Sequence, residues 1–280
     1  MNISELFKNS FKYPTKDWGK VLILGLLIIG LFILMIIAGI SLLFAQAIPI
    51  AIIFVIALIF AIIVGLIYSG YGLSVIRETI FNKNVAIDDQ EESLPEFKWS
   101  DNIVDGLKVL VLNIVYMIIP VIITLVFAYA LGVFSEFASI NQSLNIYNQT
   151  GAYLPNSIAT GYMVSNGYAV AIVNTVAAIL SVIFSLFAFI AMAKLAESGK
   201  LGSIIKFREI NDTISRIGWG GNYIVWFILL YIIVVVISFI AALIIFIPII
   251  GFIIYLLIIP SFLTLFQSRS IGLIYNEANN

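Results

Sequence analysis

The side chains that could do chemistry in this chain are few, and most of them are carboxylates. Cysteine and histidine are absent, which removes thiolate nucleophiles, imidazole bases and the usual ligands of zinc, copper and haem iron. Carboxylates that could form the active site of a lipid enzyme are Glu78, Glu96, Asp101, Asp105 and Asp212. No nucleophile and base accompany them at a recognisable spacing. We therefore expect no catalytic residue, no cofactor and no enzymatic activity.

The densest acidic cluster could bind a divalent cation through its carboxylate oxygens. It contains Asp88, Asp89, Glu91 and Glu92. The cluster lacks the glycine and the ligand spacing of a calcium loop, so a solvated run of charges is the favoured interpretation. The sequence therefore predicts no metal site.

The elements that position these side chains must lie in lipid. Of the 280 residues, 62% are hydrophobic and 10% are charged, whereas soluble domains are about 45–50% apolar and about 25% charged. A helix needs about 20 apolar residues to cross the hydrocarbon of a bilayer. Uncharged apolar runs occupy residues 21–45, 50–73, 109–133, 168–193, 223–246 and 252–266. The predicted fold class is all-α, a polytopic helical membrane protein with about six transmembrane helices arranged as three hairpins.

The last two runs are separated by a predicted tight turn at Pro248 and Gly251. The sixth run is the shortest, and Pro260 is expected to kink its helix. None of the six runs contains a charged residue. This argues against a proton-coupled carrier or pump, since such proteins usually keep an ionisable group within the membrane.

The basic residues indicate the orientation of the spans, because cytoplasmic loops are enriched in Lys and Arg. All 14 lie before the first span, between the second and third, between the fourth and fifth, or after the sixth. With six spans these regions share one side, so we expect a cell-membrane protein with both termini in the cytoplasm. The basic residues are thinly spread and the net charge is -1, which gives no reason to expect a nucleic-acid partner.

The segment 134–167 is expected on the opposite side of the membrane. Its one charged residue is Glu136, and it is rich in Asn, Ser, Tyr and Gly. Asn141 and Asn148 each begin an N-glycosylation acceptor tripeptide, which requires an accessible loop on the non-cytoplasmic face. Chance is the alternative explanation, because Asn211-Asp212-Thr213 matches the same pattern on the cytoplasmic side.

A segment that mixes aromatic, basic and acidic residues precedes each pair of spans. This pattern predicts three short cytoplasmic interfacial helices and, within a single membrane domain, three repeats over residues 1–80, 94–200 and 201–280. Side chains expected to anchor the chain where hydrocarbon meets water are Trp18, Trp99, Trp219, Arg77, Lys194 and Arg269. The alternative is that any membrane protein places Trp and Lys beside its spans, without repetition.

Small and polar residues recur along the fourth span at spacings of three and four. They include Asn174, Ala178, Ser181, Ser185 and Ala188. This face is predicted to pack against another helix, because small side chains and hydrogen bonds drive helix association in lipid; a substrate path is the alternative. Gly70-Tyr71-Gly72 begins like a dinucleotide loop but lacks the third glycine, so it is interpreted as a small-residue contact or a helix end.

Several short motifs resemble an uncharacterised archaeal family of polytopic membrane proteins known as Domain of Unknown Function 4013. They are Gly70-Tyr71-Gly72 leading to Arg77, Leu94-Pro95-Glu96-Phe97 with Trp99, and Asp105-Gly106-Leu107-Lys108. Members of that family often carry acidic residues between the phenylalanine and the tryptophan, whereas here Lys98 alone intervenes. The resemblance implies an archaeal cell membrane and no assigned activity.

Three functional hypotheses follow. The first is a non-enzymatic protein that acts as a scaffold, a partner subunit or an organiser of the membrane or envelope, because the interfacial segments and cytoplasmic loops carry most of the distinctive residues. The second is a transporter or channel for a neutral or lipid-like substrate, and the third is a membrane-embedded lipid enzyme. Expected partners are membrane lipids together with a protein partner or further copies of the chain.

Overall fold

The protein is described from a computed structural model that covers residues 2–43, 47–82, 93–134, 149 and 156–278. Within these residues the chain is helical, and the predicted all-α fold class is confirmed. The α-helices are α1 (Ile3–Lys12), α2 (Trp18–Leu43), α3 (Ala47–Phe81), α4 (Trp99–Ala130), α5 (Asn156–Ser198), α6 (Phe207–Ile217), α7 (Ile224–Ile244) and α8 (Ile250–Glu277). Short 3-10 turns occupy Tyr13–Lys16 and Leu201–Ile205, and a π-helical turn occupies Trp219–Tyr223.

Six of these helices are long and apolar enough to cross a bilayer, which confirms the prediction of a multi-pass membrane protein. They are α2, α3, α4, α5, α7 and α8. Charged residues lie in the helices beyond the predicted apolar runs, for example Arg77 in α3 and Asp105 in α4. The helices therefore continue past the apolar runs into segments that carry ionised side chains.

The largest difference from prediction is in the sixth span. The apolar run ends at residue 266, whereas α8 continues to Glu277. Residues beyond the run, including Ser268, Arg269 and Ser270, are buried by other parts of the protein. Packing within the protein thus extends a helix whose end could not be placed from apolar residues.

Two of the three predicted interfacial helices, α1 and α6, are separate helices. The side chain of Asn2 caps α1 by accepting a 3.2 Å hydrogen bond from the Ser4 backbone nitrogen. Leu6 and Phe7 are buried on one face of α1, and the Phe7 ring stacks on Phe266 of α8 with centroids 6.3 Å apart. Helix α1 is therefore held against the end of the last span.

The predicted interfacial helix before the third span is not a separate helix, because its helical part is the beginning of α4. Residues 93–98 are not helical, and α4 begins at Trp99 and continues into the apolar run without a break. Pro95 explains this conformation, since a proline disfavours helical geometry at the preceding residue and supplies no backbone N–H. Leu94 is 1% exposed and belongs to a cluster of buried apolar residues, so its side chain holds this segment in place.

The chain divides into two compact units. Unit 1 contains Met1–Leu112 and Phe189–Asn280, and unit 2 contains Asn113–Ala188. In unit 1, α8 packs against α1, α2, α3 and α7. In unit 2, the described parts of α4 and α5 expose large apolar side chains such as Met117, Val126 and Ile179. The boundaries of the three predicted repeats stay a prediction.

Candidate functional site

A polar cleft of about 410 Å³ lies among α3, residues 93–98 and the start of α4. Its wall consists of Ser74, Arg77, Glu78, Pro95, Glu96, Lys98, Asp101, Asn102 and Asp105. Four carboxylates against two cations give this wall an excess of negative charge. The volume falls within the range of small-molecule sites, about 300–1,000 Å³. We call this feature the polar cleft.

Two glycines allow α3 and α4 to cross closely enough to form the polar cleft. A Cβ atom at Gly70 would overlap the Asn102 carbonyl oxygen, and one at Gly106 would overlap the Leu66 carbonyl oxygen. The two backbones therefore touch directly, as small residues permit in membrane helices. The interpretation of Gly70 as a small-residue contact is confirmed.

Asp105 holds one side of the polar cleft through two cations. Its Oδ2 accepts a 2.8 Å hydrogen bond from Arg77 Nη1, and its Oδ1 accepts a 2.8 Å bond from Lys108 Nζ. Arg77 Nε also donates to the Ala196 carbonyl oxygen at 3.1 Å. Because the Asp105 side chain is 7% exposed, these charge-assisted bonds fix α3, α4 and the end of α5 together.

Lys20 bonds to the segment 93–98, which carries Pro95, Glu96 and Lys98 of the cleft wall. Its ammonium donates to the Leu94 carbonyl oxygen and, at 3.0 Å, to Glu96 Oε1. Tyr71 donates a 2.8 Å hydrogen bond to the Pro95 carbonyl oxygen. These bonds join residues 93–98 to α2 and α3. The part of the cleft wall that this segment forms is therefore held in place by residues that do not line the cleft.

Three stacked aromatic rings lie in and beside the segment 93–98. The Phe97 ring stacks on Tyr71 with centroids 4.3 Å apart and on Trp99 with centroids 5.3 Å apart. Trp99 is 47% exposed. Half-exposed aromatic side chains of this kind are typical of the boundary between lipid and water.

Asn102 is the least expected residue of the polar cleft. It is 1% exposed, and its Nδ2 has no hydrogen-bond partner among the described residues. Ser74 Oγ lies 3.4 Å from its Oδ1. Exchanging the amide oxygen and nitrogen would leave the oxygen without a partner instead, so one polar atom is unsatisfied in either orientation. A buried polar atom of this kind costs about 1–3 kcal/mol unless something bonds to it.

A second buried network lies beside the polar cleft, at the end of α8. Arg269 is 2% exposed; its Nε donates to Asn9 Oδ1 at 3.1 Å and its Nη1 to Thr79 Oγ1 at 3.2 Å. Its guanidinium carbon lies 4.8 Å from the centroid of the Tyr13 ring. Asn276 Nδ2 donates to the Thr79 carbonyl oxygen at 3.0 Å. We call these residues the arginine network; it joins α1, α3 and α8.

Four of the five carboxylates considered from the sequence lie together in the polar cleft. The fifth, Asp212, is exposed on α6. Ser74, Lys98 and Asn102 were not singled out as candidates for this site. The signal that points to Asn102 is its spacing of three from Asp105, which places both on one face of α4.

The predicted anchors have different environments. Trp18 and Trp99 are nearly half exposed, and Trp219 and Lys194 are partly buried. Arg77 and Arg269 instead make hydrogen bonds within the protein. Whether any of these residues anchors the chain in lipid stays a prediction.

The predicted packing face of the fourth span lies on α5. Asn174 and Ala178 are exposed, whereas Ser181, Ser185 and Ala188 are partly buried. Ser185 donates a 2.8 Å hydrogen bond to the Val182 carbonyl oxygen of its own helix. The packing role stays a prediction. Asn141 and Asn148 lie outside the described residues.

The described parts of the chain contain no recognisable group of metal ligands. No three carboxylates there are grouped closely enough to hold a metal ion. The acidic cluster 88–92 lies outside the described residues.

On α6, Lys206 donates a 2.8 Å hydrogen bond to Glu209, and this bond lowers the pKa of the Glu209 carboxyl.

The comparisons with known proteins give a family but no activity. A family model described as "Protein of unknown function (DUF4013)" matches residues 53–246. No curated protein and no solved structure matches the chain. The matched residues cover more than half of the chain and include the whole wall of the polar cleft. The chain therefore belongs to the DUF4013 family of proteins of unknown function.

Proposed function

We propose that the protein is a non-enzymatic scaffold of the cell membrane, acting as a partner subunit or an organiser of the envelope, with both termini in the cytoplasm. The observation that carries this proposal is the bonding of helix ends by the arginine network and by the salt bridges around the polar cleft. The bonds of Arg269 and Asp105 are buried and charge-assisted, and bonds of this kind favour one fixed arrangement of helices. A scaffold needs such a fixed arrangement of helix ends, because its partners bind to a surface that does not change.

The apolar surface of the spans supports the same proposal. In each of the six spans, between 17% and 22% of the residues in the most apolar 18-residue stretch are buried within the protein. The remaining surface is available to lipid and to neighbouring proteins. Other membrane proteins would bind to this surface within the bilayer. Partners in the cytoplasm would bind to the helix ends that the arginine network and the salt bridges hold together.

Crosslinking in intact membranes tests the scaffold proposal. Cells that express the tagged protein at a low level are treated with an amine-reactive crosslinker before mild solubilisation, and the captured proteins are quantified. We expect one partner protein, or a second copy of the chain, in a fixed ratio. Crosslinking after solubilisation and dilution is the control, since chance neighbours in the membrane are then lost. A lone monomer that turns over a lipid would contradict the proposal.

A lipid enzyme is the second candidate, and the convergence of carboxylates in the polar cleft favours it. Glu96 and Asp105 are engaged by Lys20, Arg77 and Lys108, so their replacement would disturb the fold as well as any chemistry. Asp101→Asn is a better test because Asp101 is exposed, and Asp212→Asn is the control outside the polar cleft. Lipid composition that changes with Asp101→Asn and not with the control would support an enzyme.

The transporter alternative stays a prediction. Pro120 lies inside α4 and Pro260 inside α8, as expected for helices that bend or open during transport. Uptake of a neutral solute by vesicles that contain the purified protein would support this alternative over the scaffold.

A further inference from the structure

Large apolar side chains are exposed between α5 and α6, outside the apolar run of any span. Leu201 is 42% exposed, Ile205 is 59% exposed and Phe207 is 44% exposed. Ile204 lies among them and is 1% exposed, so the 3-10 turn Leu201–Ile205 is packed against the protein while its exposed side chains stay accessible. Exposed apolar side chains grouped in this way mark a surface that meets a membrane or another protein. We call residues 200–208 the basic linker.

The charged residues of the basic linker are all cations. They are Lys200, Lys206 and Arg208, and no carboxylate lies between them. Lys206 donates a 2.8 Å hydrogen bond to Glu209, just beyond the basic linker. Lys200 and Arg208 are exposed, and neither forms a salt bridge within the part of the chain that the structure describes. Two cations are therefore available beside the exposed apolar side chains.

The basic linker begins where a membrane span ends. The candidate span Gly167–Ser198 forms most of α5, and Lys200 follows it after one glycine. Beyond the basic linker, α6 buries Ile210 and Ile214 and packs against α8. The basic linker is thus held between the end of a span and a helix that is fixed on the protein. At the end of a span, an exposed side chain meets lipid headgroups and the adjoining acyl chains.

From these observations we propose that the basic linker binds anionic lipids at the adjacent membrane surface. Leu201 and Ile205 insert among the acyl chains, and Lys200 and Arg208 contact the lipid phosphates. Segments that combine exposed apolar residues with cations bind anionic lipid in this way. A second copy of the chain packed linker against linker fits less well, because it would bring the same cations into contact. None of these four residues is among the anchors predicted from the sequence.

Spin labelling of the full-length protein tests the insertion. The chain contains no cysteine, so a nitroxide can be attached at Ile205→Cys alone, in bilayers of phosphatidylcholine and phosphatidylglycerol. Oxygen concentrates among acyl chains, whereas a nickel chelate stays in water. We expect the label at position 205 to collide more with oxygen and less with nickel than a label at Asn211→Cys, an exposed position on α6. Equal collision ratios at the two positions would overturn the insertion. Protection from both reagents, with spin–spin broadening that is lost on dilution with unlabelled protein, would place a second copy there and also overturn it.

Lipid selectivity tests the role of the two cations. The purified protein is equilibrated in detergent with equal amounts of phosphatidylglycerol and phosphatidylcholine, and retained lipids are counted by native mass spectrometry. We expect the preference for phosphatidylglycerol to fall about fivefold in Lys200→Gln and about fivefold again when Arg208→Gln is added, the effect of one cation near an anionic surface. The double variant Lys8→Gln, Lys98→Gln removes two exposed cations elsewhere and is the control. All four positions are exposed, so folding is expected to survive, and elution from a sizing column checks this. An unchanged preference in the first double variant, or an equal loss in the control, would overturn the proposal.

The lipid proposal does not depend on the scaffold proposal, because it concerns the membrane surface and not a protein partner. Lipid selectivity that depends on Lys200 and Arg208 in a lone monomer would support the first and contradict the second. A partner captured by crosslinking without such selectivity would do the reverse.

Discussion

Arg269 shows how a single residue can join distant parts of this chain. Its guanidinium group donates to Asn9 and Thr79 and lies over the Tyr13 ring. These partners come from α1, α3 and the turn that follows α1. An arginine suits this position because its planar group donates in several directions and stacks on aromatic rings. Asn9, Thr79 and Tyr13 are neutral in their usual states, so they stabilise the charge through hydrogen bonds and through the aromatic face.

Replacement of Arg269 is expected to destabilise the protein. Arg269→Ala leaves Asn9 and Thr79 without their donor and opens a cavity, at a cost of about 3 kcal/mol. Thermal unfolding in mild detergent should show a midpoint lower by at least about 5 °C. Arg269→Lys should recover part of this loss, since it keeps the charge without the planar fork.

Arg208→Ala is the matched control for this change. Arg208 is exposed on α6, and its removal should alter the midpoint by less than about 2 °C. Equal midpoints for Arg269→Ala and Arg208→Ala would show that the arginine network does not stabilise the fold.

Individual site residues could be predicted only in part. Glu78, Glu96, Asp101 and Asp105 were recognisable as charged groups between two spans. Their meeting in one cleft depends on the angle and separation of α3 and α4, which the sequence does not state. Arg269 was predicted as an anchor beside lipid, and its neighbours in the fold come from positions up to 260 residues away in the chain.

Among the elements, the crossing of α3 and α4 has the clearest physical cause. Gly70 and Gly106 bring the two backbones into contact, and residues of the same two helices line the polar cleft. Gly25 of α2 makes a comparable contact with the Leu257 backbone of α8. Without a hydrophobic force between helices in lipid, such close approaches determine how the helices associate.

An alanine at Gly70 is expected to disrupt this crossing. The added methyl group meets backbone atoms, which cannot move aside as a side chain would. The cost should exceed about 2 kcal/mol, and the fraction of protein that elutes as a single sizing-column peak should fall.

Gly65→Ala, five residues earlier in the same helix, is the control. A Cβ atom at Gly65 meets nothing within 4 Å, so this change should be neutral or slightly stabilising through helix propensity. Similar elution profiles for the two alanine variants would contradict the role given to Gly70.

Elements were predicted well where lipid dictates them and less well elsewhere. All six spans followed from apolar length, because hydrocarbon admits few alternatives to a helix. The last eleven residues of α8 are polar or mixed, and burial against the rest of unit 1 makes them helical. Pro95 indicates the non-helical conformation of residues 93–98, whereas the aromatic and charged composition of residues 96–108 predicts an interfacial helix there.

At the scale of the whole molecule, the arrangement of both termini on one side is the statement most open to direct test. The chain contains no cysteine, so single cysteines can be introduced and labelled without further changes. Under the proposed topology, cysteines at Asn2 and Lys200 react from the cytoplasmic side. A cysteine at Asn148 reacts from the opposite side.

Labelling of sealed vesicles with a membrane-impermeant maleimide measures this topology. Detergent-opened vesicles provide the control, since all three positions should then react. Reaction of all three from the same side of sealed vesicles would contradict the six-span arrangement and the cytoplasmic placement of the termini. The archaeal origin implied by the family resemblance stays a prediction.

The length of α3 has a consequence for how the protein responds to its surroundings. Its 35 residues extend about 52 Å, whereas the hydrocarbon of a typical bilayer is about 30 Å thick. The helix therefore extends beyond the hydrocarbon, and the length that extends depends on the thickness of the bilayer and on the tilt of the helix. In a thicker bilayer Arg77 and Glu78 would sit nearer the headgroups, and in a thinner one they would stand clear in water. The position of this charged end relative to the headgroups would therefore change with membrane thickness.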